Sequence, residues 1–136
     1  MSARQDLYEQ TWGYLARFFP SESTQAANGR ELHVTRGYMF ALQPEDFVED
    51  RALLTFYAVV SDPDDKFHVD RELLAWVNKL NGELWLGSLR LENDMFVYTF
   101  RTPGECINEE SIQILIRGFA SLAAKLANEV KAEFEF

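Results

Sequence analysis

Hydrophobic positions along the chain switch between two spacings, and the switches divide it into elements. Over residues 3–19, Leu7, Tyr8, Trp12, Leu15, Phe18 and Phe19 recur three or four apart, which is the spacing of one helix face. Pro20 stops that helix. The polar stretch 21–29 ends in Asn28-Gly29, a turn signal. Three strands follow: the short alternating piece 31–36, the apolar and aromatic run 38–42, and the nearly continuous apolar run 52–60. The last is rich in β-formers, as expected of a strand with neighbours on both sides. An acidic loop, 44–50, separates the second strand from the third, and the polar run 61–66 then breaks the chain.

Asp70 is placed to cap a second helix, with Glu72 near the positive end of its dipole. Leu73, Leu74, Val77 and Leu80 form the inner stripe, with Trp76 to one side, and the helix is expected to end at Leu80 or Asn81. Gly82 would supply the left-handed residue beyond its end. The segments 83–91 and 95–101 flank Asn93-Asp94 and predict a hairpin. That turn sets Leu91 opposite Phe96, Leu89 opposite Tyr98 and Gly87 opposite Phe100. Trp85, Leu89, Leu91, Phe96, Tyr98 and Phe100 then share one face. Leu84, Leu86, Ser88, Arg90, Val97, Thr99 and Arg101 share the other. A final helix begins after Asn108, with Ile107 and Ile112 spaced for a hydrophobic staple and one long stripe from Ile112 to Val130.

Composition narrows the classes of partner. A chain of 136 residues is expected to be one domain spanning 1–136. Its formal net charge is −9, and its thirteen basic residues are dispersed from Arg4 to Lys131. Nucleic acid and anionic membrane surfaces both require clustered Lys and Arg, so neither is expected as a partner. The longest apolar stretch is too short to span a bilayer. The first ten residues lack the apolar core of a secretory signal, so a cytoplasmic location is expected.

Little in the chain has the spacing of known chemistry. The seven glycines make no phosphate loop. An EF-hand loop counted from Asp62 would need Gly where Phe67 stands and Glu where Leu73 stands. The acidic run therefore predicts a turn leading into a helix cap. His33 and His68 lie in different segments, and His68 with Asp70 falls short of a metal-ligand set. Cys106, the single cysteine, precedes a helix start, but Glu105, Glu109 and Glu110 disfavour its thiolate. No catalytic residue, metal or cofactor is assigned.

Two features point to binding. Asn78 and Asn81 lie three apart on the second helix. They either bind a partner's backbone or serve locally, Asn81 helping Gly82 end the helix while Asn78 bonds a loop carbonyl. If helices cover one side of the sheet only, Leu84, Leu86 and Val97 would be half exposed on the other. With Arg90 and Arg101 they would then form a contact patch.

The segments VNKLNG (77–82) and FVYTFRTPGECINEESIQILI (96–116), joined by a strand, resemble the YbjN-like family and the wider type III secretion chaperone-like fold. Asn78 and Asn81 fill the two Asn positions of that pattern. The likeness is best over residues 77–126, and the first half of the chain matches in element order. The resemblance implies an α+β fold in the order α-β-β-β-α-β-β-α, with a five-stranded antiparallel sheet and helices packed on one face. It also implies a dimerising, protein-binding molecule without catalytic residues. The expectation is a non-enzymatic binding or regulatory protein, acting as a homodimer on another protein or protein segment. The alternatives are a small-ligand binder or enzyme, with a pocket between the acidic loops and the sheet, and a structural subunit of a larger assembly.

Overall fold

A computed structural model describes residues 2–62 and 69–134. In chain order the elements are α1 (Ala3–Phe18), β1 (Ser23–Gln25), β2 (Leu32–Thr35), β3 (Met39–Asp46), β4 (Ala52–Val59), α2 (Arg71–Glu83), β5 (Ser88–Glu92), β6 (Met95–Pro103) and α3 (Glu109–Glu133). One antiparallel sheet takes the strands in the order β1-β2-β3-β4-β6-β5. The sheet thus has six strands, not the expected five. The additional one, β1, has no apolar alternation to mark it, because backbone pairing with β2 creates it. Ser23 lies opposite Val34 and Gln25 opposite Leu32. The Thr35 N–H donates to the Glu22 carbonyl at one end, and the Ala26 N–H to the Glu31 carbonyl at the other.

Alternate strand positions face a single core. Leu32, Val34, Phe40, Leu42, Leu54, Phe56, Ala58, Phe96 and Tyr98 are buried in one cluster with residues of all three helices, including Leu7, Leu15, Leu73, Val77, Ile112 and Ile116. The opposite positions, among them Thr55, Val97 and Thr99, are outside that cluster, so the helices lie on one side of the sheet. Phe119 of α3 is the hub. Its ring stacks on Tyr98 with centroids 4.5 Å apart, and lies 4.9 Å from Phe40 and 5.4 Å from Phe56. A second aromatic group joins Trp76 of α2 to Phe96 at 5.8 Å and to Phe134 at 5.1 Å.

Helix starts follow the expected chemistry. Asp70 accepts the Leu73 N–H at 2.8 Å. Asn108 accepts the N–H groups of Glu110 and Ser111, while the Ser111 hydroxyl accepts the Asn108 N–H, closing a reciprocal cap. Two features of α2 differ from expectation: Leu74, expected on the inner stripe, is 51% exposed because it lies one residue round the helix from buried Leu73, and the helix ends later. Gly82 remains helical, the helix runs on to Glu83, and Leu84 caps it through its N–H to the Leu80 carbonyl.

The loop expected over 44–50 is shorter, because β3 continues through Asp46 opposite Ala52. Pro44 is tolerated there because β2 pairs with β3 no further than Leu42, which leaves that flank of Pro44 open.

The last hairpin turns at Asn93 and Asp94, both left-handed (φ 52° and 63°), as a two-residue turn between strands of right-handed twist requires. Leu91–Phe96 and Leu89–Tyr98 pair as the spacing predicts. The ladder stops at Ser88–Thr99, so Gly87 does not pair with Phe100. Residues 84–87 leave the strand, and Gly87 adopts φ 74°. A Cβ there would collide with the Thr99 carbonyl oxygen and lie 2.9 Å from the Tyr98 ring.

Replacing Phe119 with Ala removes the ring shared by α3 and three strands. A loss of about 3–5 kcal/mol is expected, read from the midpoint of urea unfolding.

Candidate functional surfaces

The residues expected to form one contact patch are divided among three places. Asn81 serves the chain's own backbone. Its Nδ2 donates to the Leu89 carbonyl at 2.9 Å, and its Oδ1 accepts the Leu89 N–H at 2.7 Å. A side-chain amide thereby satisfies both groups of a residue on β5, an edge strand of the sheet. Asn78 lies exposed three residues earlier on α2. Leu84 packs part-buried against the core, and Leu86 is buried within it, not half exposed on an outer face. The reason is the break at 84–87: strand alternation does not extend to these residues, and the Tyr98 hydroxyl donates to the Leu86 carbonyl at 2.5 Å. Burial pushes that hydroxyl's pKa well above the usual phenol range.

Val97, Arg90 and Arg101 do share the helix-free face. Val97 is nonetheless fully buried, flanked by its cross-strand partners Val59 and Arg90. Val97 therefore offers no contact surface. Arg90 is exposed and pairs with Glu92 at 3.1 Å, and Arg101 is exposed. The same face carries a polar cluster at the β2–β3 end. Glu31 accepts from Gln43 at 2.9 Å and meets His33 at 3.2 Å. The Gln43 hydrogen bond holds the Glu31 carboxyl below its ordinary value, aided by His33 and opposed by partial burial. Burial raises the Tyr57 hydroxyl pKa, Glu92 adds to the shift and Arg90 opposes it.

Among the described residues no three His, Cys, Asp or Glu side chains converge to hold a metal ion, and no helix is long and apolar enough to cross a membrane. His68, Asp64 and Asp65 lie outside the described residues. Cys106 is exposed in the single turn Gly104–Cys106 that precedes α3.

Besides the single exposed side chains of Met39, Val69 and Leu74, large apolar side chains reach solvent together at two places that sequence spacing did not single out. The first surrounds Trp85, which is 69% exposed. Strand alternation would turn its ring inward, but the break before β5 sends it over α3. A Cβ at Gly118 would lie 3.0 Å from the ring's Cη2. Ile114, one turn earlier on the same face of α3, is 56% exposed. A glycine inside a 25-residue helix costs about 1 kcal/mol relative to alanine; here it lets an indole lie against the helix backbone. That mid-helix glycine was the available sequence signal.

The second place is the tip of the β3–β4 hairpin. Phe47 and Val48 are 52% and 58% exposed. The tip is closed by Phe47 N–H to the Arg51 carbonyl at 2.9 Å and by Arg51 N–H to the Val48 carbonyl at 3.3 Å, with Glu49 left-handed at φ 56°. Between this tip, α1 and the Pro103–Glu105 corner runs an open cleft of about 340 Å³. Two adjacent apolar residues inside an otherwise acidic run, 44–50, were its sequence signal.

Replacing Asn81 with Leu would leave the Leu89 N–H and carbonyl without their side-chain partners. A loss of about 2 kcal/mol is expected, together with faster hydrogen exchange at the Leu89 amide and little change at the Leu42 amide inside the sheet. No family model matches this chain, and no curated protein matches it at a significant level.

Proposed function

We propose that this chain is a non-enzymatic protein-binding protein, and that it acts as a homodimer through the surface formed by Trp85 and α3. The observation that carries the reading is the placement of Trp85. The fold buries Phe40, Phe56, Phe96, Tyr98 and Phe119 almost completely, yet leaves this indole 69% exposed, with Ile114 56% exposed one helical turn from its contact on α3. Tryptophan is among the residues most enriched at the energetic centres of protein interfaces, because it buries a large area with few rotatable bonds. Isolated exposed aliphatics need no such explanation. A broad ring whose edge rests at Gly118 of a helix, with a second large apolar group exposed one turn away, does.

The proposal extends to family. With β1 set aside, the order α-β-β-β-α-β-β-α and the one-sided helix layer are those implied by the resemblance to YbjN-like and type III secretion chaperone-like proteins. A chaperone-like or regulatory role in the cytoplasm, offering surface to another protein, is consistent with that order and with the net charge of −9.

Light scattering after size exclusion tests the dimer. Trp85→Glu and Ile114→Glu are each expected to halve the mass of the wild-type particle while leaving the thermal midpoint within a few degrees, since both side chains are already in water. A wild-type protein that is monomeric at 100 μM, or variants that keep the wild-type mass, would count against this surface as the contact.

A further inference from the structure

The cleft at the β3–β4 tip is a second surface, remote in sequence from the Trp85 surface and independent of it. We infer that it holds an apolar side chain from a Lys- or Arg-flanked segment of a partner protein. Its floor is apolar: Leu7 is almost fully buried there, beside Ala52 and Gly104. The walls are Phe47 and Val48, both more than half exposed. The two hydrogen bonds across the hairpin tip fix the backbone that carries them, so binding a second apolar group there has only side-chain rotation left to order. The cleft's volume, about 340 Å³, lies at the lower end of the range of ligand pockets and exceeds what one leucine or phenylalanine side chain occupies.

Charge selects the occupant. Three carboxylates, Asp6, Asp50 and Glu105, line the cleft. Among the described residues lining it, Arg51 is the single cation, and its guanidinium is turned to Glu105 at 3.4 Å. The amino end of α1 contributes a partial positive charge, but Asp6 in the first turn and the Ser2 hydroxyl on the Gln5 N–H both offset it. The remaining field is negative, in a chain whose total is −9, so a cationic segment is steered towards the mouth and an anionic one is repelled. Neither the apolar floor nor the acidic rim defines the occupant alone. Together they require an apolar side chain with positive neighbours.

Fluorescence anisotropy with three labelled ten-residue peptides tests this. One carries Leu-Phe between Lys pairs, the second replaces Leu-Phe by Ser-Ser, and the third replaces the Lys pairs by Glu pairs. The first is expected to bind the full-length protein at least tenfold more tightly than either of the others. Raising salt from 50 to 300 mM should weaken it several-fold. Phe47→Ser should weaken it at least tenfold, and so, independently, should the double variant Asp50→Asn with Glu105→Gln. All three side chains are exposed, and an unchanged thermal midpoint shows that each variant folds. Trp85→Glu should bind this peptide as the wild type does, which separates failure here from failure of the dimer surface. Equal binding of the Lys peptides with and without Leu-Phe would overturn the inference. So would wild-type affinity in Phe47→Ser, or absence of binding by the first peptide at 1 mM.

Discussion

The contact on which most of the architecture depends is that of Tyr98 with its two partners. Its ring stacks on Phe119 and so fixes α3 against the centre of the sheet. Its hydroxyl, in the same buried site, has to find an acceptor, and the Leu86 carbonyl provides it. One side chain thereby sets the position of α3 and the path of the segment between α2 and β5. From that path the rest follows. Gly87 takes the left-handed conformation where the backbone passes over Thr99, Leu86 enters the core, and Trp85 is carried outward onto Gly118. An apolar side chain at position 98 could fill the same volume but would leave the Leu86 carbonyl without its partner.

One-sided burial is the second constraint. Among the described residues three helices cover one face of six strands and none lies on the opposite face, yet its central positions are still withdrawn from water. Val97, Thr55 and Thr99 are buried between their neighbours. The centre of the sheet thus lacks a helical layer without exposing apolar groups, while Met39 near its β2–β3 end is 62% exposed. Met39, Leu74 and Ile114 are exposed within a strand or helix, whereas Trp85 before β5 and Phe47 and Val48 between β3 and β4 are exposed where regular structure ends. The last three are also the positions where side-chain direction is released from strand alternation, which leaves it free for contact with another molecule.

The sequence is most legible where periodicity is strong and local chemistry closes the element. The stripes of α1 and α3, that of α2 apart from Leu74, the caps at Asp70 and Asn108, and the Asn93-Asp94 turn with its register all depend on near neighbours, and all are present. What escapes is long-range or made by the backbone. β1 is polar and exists by pairing with β2. Asn81 has helix-end chemistry in the sequence, but its partner is eight residues away on a strand. The run 83–91 alternates without interruption, so nothing in its spacing announces the break at 84–87. The signs were instead single glycines, Gly87 and Gly118, whose meaning depends on which atoms approach them. The surfaces followed the same division: alternation placed Leu86 outward and Trp85 inward, and both are reversed, whereas Val97 does face away from the core but is covered by its cross-strand neighbours.

The most direct test of the account is fluorine NMR of protein carrying 5-fluorotryptophan, with the Trp85 resonance assigned by its absence in Trp85→Phe. In dilute protein the account predicts a solvent-isotope shift at residue 85 typical of an exposed ring, and smaller shifts at Trp12 and Trp76. As concentration rises, the Trp85 resonance alone should move and lose that solvent shift. A Trp85 resonance insensitive to solvent from the outset, or one unchanged up to millimolar protein, would contradict it.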